Sequence, residues 1–171
     1  GEHLFRIRGL GETRLQGTAG KIWGNDIPES YLMYGRGVRG DGDFGLLSTG
    51  YLQTMRLYQF ISDEFIQFGL THNFGNVFGI EKSYSKPELK LGYQAAIGNL
   101  RSSNREQLRS SATKMDRPYL EAGLIVDNIL RLKNNFYYSG FGVGAFYRHG
   151  YYGVTDEMEN LSFILSFAIS L

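Results

Sequence analysis

The sequence predicts an all-β fold, an antiparallel up-and-down transmembrane β-barrel of about eight strands that forms the C-terminal part of a larger barrel. Three observations predict it. Several segments alternate apolar and polar residues with the two-residue period of a strand. Those segments run to roughly 10–14 residues, whereas globular strands average ~5–6 and tilted membrane strands need ~9–11. The composition sets 23 Gly, 12 Tyr and 12 Phe against three Pro. Aromatic residues favour strands, and glycine serves turns and crowded barrel interiors. The chain, residues 1–171, reads as one domain or barrel segment with an irregular stretch at residues 24–50.

Residues 160–171 (NLSFILSFAISL) give the cleanest alternation. Leu161, Phe163, Leu165, Phe167, Ile169 and Leu171 share one face, and all are apolar. Asn160, Ser162, Ile164, Ser166, Ala168 and Ser170 share the other, which is mostly small or polar. A helix would scatter both sets around its axis. From the start of the chain, residues 2–10 and 12–23 read as extended, joined at Gly9–Gly11, with poor alternation. Residues 24–50 carry the turn signals Gly-Asn-Asp and Gly-Asp-Gly-Asp and no period. A phosphate loop there would need a strand before it and a helix after it, and neither pattern is visible.

Residues 51–61 and 64–74 read as a hairpin with Ser62-Asp63 as its two-residue turn. In the second arm Ile66, Phe68, Leu70, His72 and Phe74 oppose Phe65, Gln67, Gly69, Thr71 and Asn73. The first arm alternates less cleanly. Residues 88–100 and 118–128 are amphipathic strands, separated by a polar, serine-rich loop over residues 101–117. Asn134-Asn135 marks the next turn, and residues 135–149 place Tyr137, Phe141, Val143, Ala145 and Tyr147 opposite Gly140, Gly142, Gly144 and Arg148.

These phases divide the strands into two faces. Leu89, Leu91, Leu120, Leu124, Val143, Leu161, Phe163, Leu165, Phe167 and Ile169 are expected to face lipid. Glu88, Lys90, Gln94, Glu121, Asp127, Arg148, Ser162 and Ser166 are expected to face the lumen. A soluble sandwich would scatter Lys and Glu over its outward face. Here the second face carries Gly, Ser, Gln, Asn and charges of both signs, which suits a hydrated interior. Those charges are expected to pair with one another and plug the barrel, since eight strands leave no aqueous channel. Tyr51, Phe74, Tyr119, Tyr137 and Tyr147 lie near strand ends, as interfacial girdles do.

Composition excludes several classes. A formal charge of +1 gives no electrostatic case for nucleic acid. Without cysteine there is no disulfide framework and no thiolate metal site. No apolar run is long enough for a membrane helix. His3, His72 and His149 are not spaced as metal ligands, so no metal or cofactor is expected. The one hydrolytic arrangement the residues offer is Ser139, His149 and Asp156 at a barrel rim. Triads are set by geometry rather than spacing, so no catalytic residue is assigned.

The stretches KIWGNDIPESYL, MRLYQFISDEF, RPYLEAGLIVDNIL and LSFILSFAISL carry a family resemblance. The chain, over residues 17–76 and 117–171, resembles the C-terminal outer-membrane barrel of an uncharacterised Bacteroidetes family whose members carry an N-terminal carboxypeptidase-regulatory-like domain. The resemblance implies the outer membrane of a Gram-negative cell and carries no established activity. Family members are much longer, and many outer-membrane barrels end in an aromatic residue where this chain has Leu171.

The functional expectation is a non-enzymatic integral outer-membrane barrel protein acting as anchor, assembly component or transport and export component. Its expected partners are outer-membrane lipid, the barrel assembly machinery and other outer-membrane or periplasmic chains. The alternatives are a lipid- or peptide-hydrolysing barrel enzyme and a soluble β-barrel or sandwich binding protein. Residues 24–50 are expected to pack against the inside or rim of a larger wall, with Arg36, Arg39, Asp41 and Asp43 meeting lumen charges. In that case residues 161–171 do not pair with residues 2–23.

Overall fold

The computed structural model describes residues 1–40, 42, 44–106, 108, 112–133 and 138–170. In chain order its strands are β1 (Glu2–Ile7), β2 (Gly11–Lys21), β3 (Met33–Tyr34), β4 (Gly37–Arg39), β5 (Phe44–Leu46), β6 (Leu52–Arg56), β7 (Phe60–Ser62), β8 (Glu64–Gly75), β9 (Glu88–Asn99), β10 (Thr113–Lys114), β11 (Tyr119–Lys133), β12 (Tyr138–His149) and β13 (Leu161–Ser170). The two α-helices among the described residues, Ser102–Arg105 and Glu157–Asn160, are single turns. No helix among the described residues is long and apolar enough to cross a membrane. The protein is all-β.

An eight-stranded sheet in the order β1-β2-β8-β9-β11-β12-β13-β5 dominates. Every neighbouring pair from β1 to β13 is antiparallel. The last pair differs: β5 runs parallel to β13 over three positions, Phe44–Leu46 against Phe163–Leu165. Among the described residues β13 pairs only with β12 and β5, not with β1 or β2. The sheet therefore does not close into a barrel. As expected of part of a larger wall, residues 161–170 do not pair with residues 2–23; the curled sheet instead has its last edge covered by a short parallel strand.

The expected strands at residues 2–10, 12–23, 64–74, 88–100, 118–128, 135–149 and 160–171 are all found, within a few residues at each end. One runs longer than expected. β11 continues past Asn128 to Lys133 through a bulge between Val126 and Leu130. Asn128 takes a left-handed φ of 56° there, which an Asn tolerates better than most residues. The turn expected at Asn134-Asn135, Tyr137 and Leu171 lie outside the described residues.

The expected hairpin of residues 51–61 with 64–74 is not formed. β8 pairs with β2 and β9 instead. β6 pairs in parallel with β4, and β7 pairs with β3 and β10 in a separate small sheet. Leu52, Gln53, Thr54 and Met55 are all buried. A strand buried on both faces has no reason to alternate, and that is why this stretch does not. It lies against the inner face of the main sheet rather than extending the wall. Ser62-Asp63 carries the chain from this inserted segment into β8. The Asp63 carboxylate accepts from the Arg101 N–H at 3.1 Å and from Asn104 Nδ2 at 2.8 Å. Asn104 Oδ1 in turn accepts from the Ile27 N–H at 3.1 Å. One buried acid thus ties together three connections at the same end of the sheet.

Candidate functional site

The inner face is built from alternate residues of the long strands. A single cavity of about 120 Å³ is lined by Arg14 and Gln16 of β2, Thr71 of β8, Gln94 of β9, Ile125 of β11 and Phe146 of β12. Five strands lying flat, spaced ~4.8 Å apart, could not all reach one space this small. The sheet must curl around it. The cavity is closed on its other side by Leu47, Ser48, Thr49, Gly50 and Gln53. So the end of the irregular stretch and the start of β6 fill the inside of the curl.

Glu121 anchors this inserted segment and is fully buried. Its carboxylate accepts the Gln53 N–H at 2.6 Å, the Thr54 N–H at 2.8 Å and the Thr54 hydroxyl at 2.6 Å. Thr54 Oγ1 also lies 2.9 Å from the Tyr119 hydroxyl. Charge-assisted bonds to backbone N–H groups are the strong kind, and they offset the cost of burying a carboxylate. Above this node Leu52, Met55, Phe60, Ala96, Met115 and Tyr119 form an apolar cluster capped by Tyr152. Burial pushes the Tyr152 phenol up, while its oxygen accepts the Arg117 N–H.

Below the node Phe146 packs with Ile125, Ile164 and Leu47. Its ring lies against the backbone of two neighbouring strands. A Cβ on Gly123 would come within 2.5 Å of the ring, and one on Gly92 within 2.9 Å. Only glycine leaves that space. Deeper still, Lys90 pairs with Asp127, which also accepts from the Ser166 hydroxyl. Asn73 Nδ2 donates to Glu88 at 2.9 Å.

The expected inward residues occupy one phase. Gln94, Glu121, Asp127, Arg148, Ser162 and Ser166 are buried, and Glu88 and Lys90 are half-buried. Of the expected outward residues, Leu91, Leu124, Val143, Phe163, Leu165 and Phe167 are exposed, with Leu124 at 54% and Phe167 at 54%. Leu89, Leu120 and Leu161 are half-buried. The Ile169 side chain lies outside the described residues. Charge pairing holds for Lys90 with Asp127 only. Glu121 and Arg148 are register partners across β11 and β12, yet each takes a neutral partner instead. Arg148 donates to Asn160 Oδ1 at 3.1 Å and to the Glu159 carbonyl at 3.2 Å.

Two further expectations are corrected. Tyr119 is not a girdle residue, because it points inward and is fully buried against Phe60 and Tyr152. Ser139 and His149 cannot share a catalytic site. They stand at opposite ends of β12, on the order of 33 Å apart at the rise of an extended chain. Arg36 bonds Thr18 Oγ1 at 3.1 Å and lies over the Tyr51 ring. Asp41 and Asp43 lie outside the described residues. The residues the sequence reading missed are Gln53, Thr54 and Phe146. For Phe146 the available signal was cross-strand, since its register partner is Gly123.

No family model, curated protein or solved structure matches the chain.

Proposed function

We propose that this chain is a section of the wall of an outer-membrane β-barrel whose interior is filled by its own residues 47–56. It acts without catalysis, as an anchor, an assembly component or a transport and export component; the Bacteroidetes family resemblance implies the outer-membrane barrel and not the role. The observation that carries this reading is the inversion of the sheet. Its outer face presents Ile66, Phe68, Leu91, Leu124, Val143 and Phe163 to the surroundings, while its inner face buries Gln67, Gln94, Glu121, Asp127 and Arg148. A soluble protein rarely exposes a contiguous apolar face across five long strands, whereas a lipid-facing wall requires one. The filled interior favours an anchor over an open pore.

The sheet order supports a larger wall. Set β5 aside, and the seven strands from β1 to β13 alternate in direction. The first and last then run the same way. An antiparallel ring needs an even number of strands, so an odd number of further strands would complete it, from this protein or a partner. An unpaired edge is not tolerated in lipid.

The test is refolding of the full chain with phosphatidylcholine vesicles. The reading expects co-flotation with the vesicles and protection of the long strands from protease. A folded, monomeric chain in plain buffer, indifferent to vesicles, would overturn it.

A further inference from the structure

We propose that a cleft at the rim, beside the edge of β13, binds the phosphate headgroup of an anionic membrane lipid; this rests on the membrane-wall reading above. Two adjoining cavities of about 530 Å³ and 490 Å³ share Arg39 and Arg56 as lining residues. The first adds Arg148, and the second continues past Phe44, Met158 and Phe163. Arg39 and Arg56 are register partners in the parallel pair β4–β6, so their side chains start from neighbouring backbone positions, and both residues line both cavities.

None of the three arginines has a carboxylate partner in any ion pair among the described residues. Arg39 and Arg148 both donate to the Glu159 carbonyl, which fixes them without neutralising them. Of the nearby acids, Glu121 is taken up by Gln53 and Thr54. Glu159 also lines the first cavity and forms no ion pair among the described residues. Asp41 and Asp43, close in sequence, lie outside the described residues. Among the described residues this cleft gathers three arginines against one acid, Glu159; an excess of like charge attracts an anion, and guanidinium groups match the oxygens of phosphate.

The apolar end of the cleft decides between a free anion and an amphiphile. Phe44 and Met158 are each 65% exposed, and Phe163 belongs to the outer apolar face. A phosphate held by Arg39 and Arg56 would direct an attached acyl chain along these residues onto that face. Basic pockets at a membrane surface recognise lipid headgroups in this way.

The experiment uses the full chain refolded in phosphatidylcholine vesicles and titrated with fluorescent phosphatidic acid. Saturable binding is expected. Arg56→Gln should weaken it about fivefold, and the Arg39→Gln/Arg56→Gln pair about thirtyfold, at ~1 kcal/mol per arginine. Arg56 is exposed, and its side chain makes no hydrogen bond among the described residues, so its replacement leaves folding intact. Arg8→Gln, in the exposed turn after β1, should change nothing. Equal weakening by Arg8→Gln would show diffuse attraction and overturn the proposal. So would displacement by an equal concentration of inorganic phosphate, or insertion into vesicles without preference for phosphatidic acid. Failure to insert at all overturns the membrane-wall reading first, and the lipid site with it.

Discussion

Glu121 shows how one residue sets what the inside of the curl can hold. Its two oxygens collect three donors from Gln53 and Thr54, more than sixty residues earlier in the chain. Replacing it with Ala leaves two buried backbone N–H groups without a partner and the Thr54 hydroxyl with only the Tyr119 hydroxyl beside it. Each such orphan costs roughly 1–3 kcal/mol, so Glu121→Ala should destabilise the protein by about 3 kcal/mol or more. Urea unfolding in detergent micelles, followed by tryptophan fluorescence, would read this out, since Trp23 lies just beyond β2, outside the altered contacts. An unchanged midpoint would mean that the inserted segment is held by its apolar contacts alone. The inward phase of Glu121 was legible in the sequence, because a two-residue period assigns faces directly. Its partner was not. Gln53 and Thr54 come from a stretch without a period, and no local rule connects them to β11. Phe146 was hidden for a different reason. It is an apolar residue in a polar phase, and only the register with Gly123 makes room for it.

At the scale of elements, the long wall strands were legible and the inserted ones were not. Alternation marks a strand with two different environments, which describes β8, β9, β11, β12 and β13. β6 has one environment on both sides, so its pattern of apolar and polar residues carries no face. The two-residue Ser62-Asp63 turn suggested a hairpin arm, and tertiary burial overrode it. β1 and β2 alternate by polarity more than by hydrophobicity. Glu2, Leu4 and Arg6 stand in register with Gln16, Arg14 and Glu12, and the charged residues of this set pair across the two strands. β5 carries a prediction of its own. The Leu47 N–H, just beyond it, donates to the Leu165 carbonyl at 2.8 Å and holds the parallel seam. Leu47→Pro removes that donor and should free the β13 edge, producing higher oligomers on size-exclusion chromatography in detergent. Leu47→Ala keeps the donor and loses only packing, so it should stay at the parent size. If both variants associate equally, packing against Phe146 rather than the seam protects the edge.

At the scale of the whole molecule, the two faces of one sheet carry opposite chemistry, and everything functional depends on which face meets water. The outer face is apolar from β8 to β13, and the inner face is polar, charged and filled. In water the exposed Ile66, Phe68, Leu124 and Phe163 would drive association. In lipid they are satisfied, and the buried carboxylates and arginine are kept from it. The chain has no cysteine, so single cysteines can be placed at will. The most direct test is a cysteine scan along residues 66–71 of β8 in vesicle-bound protein, each site labelled with an environment-sensitive fluorophore and quenched by nitroxide-bearing lipid. Quenching at Ile66, Phe68 and Leu70 but not at Gln67, Gly69 and Thr71 is the predicted result. Quenching at none of the six sites, or equally at all of them, would contradict a lipid-facing wall.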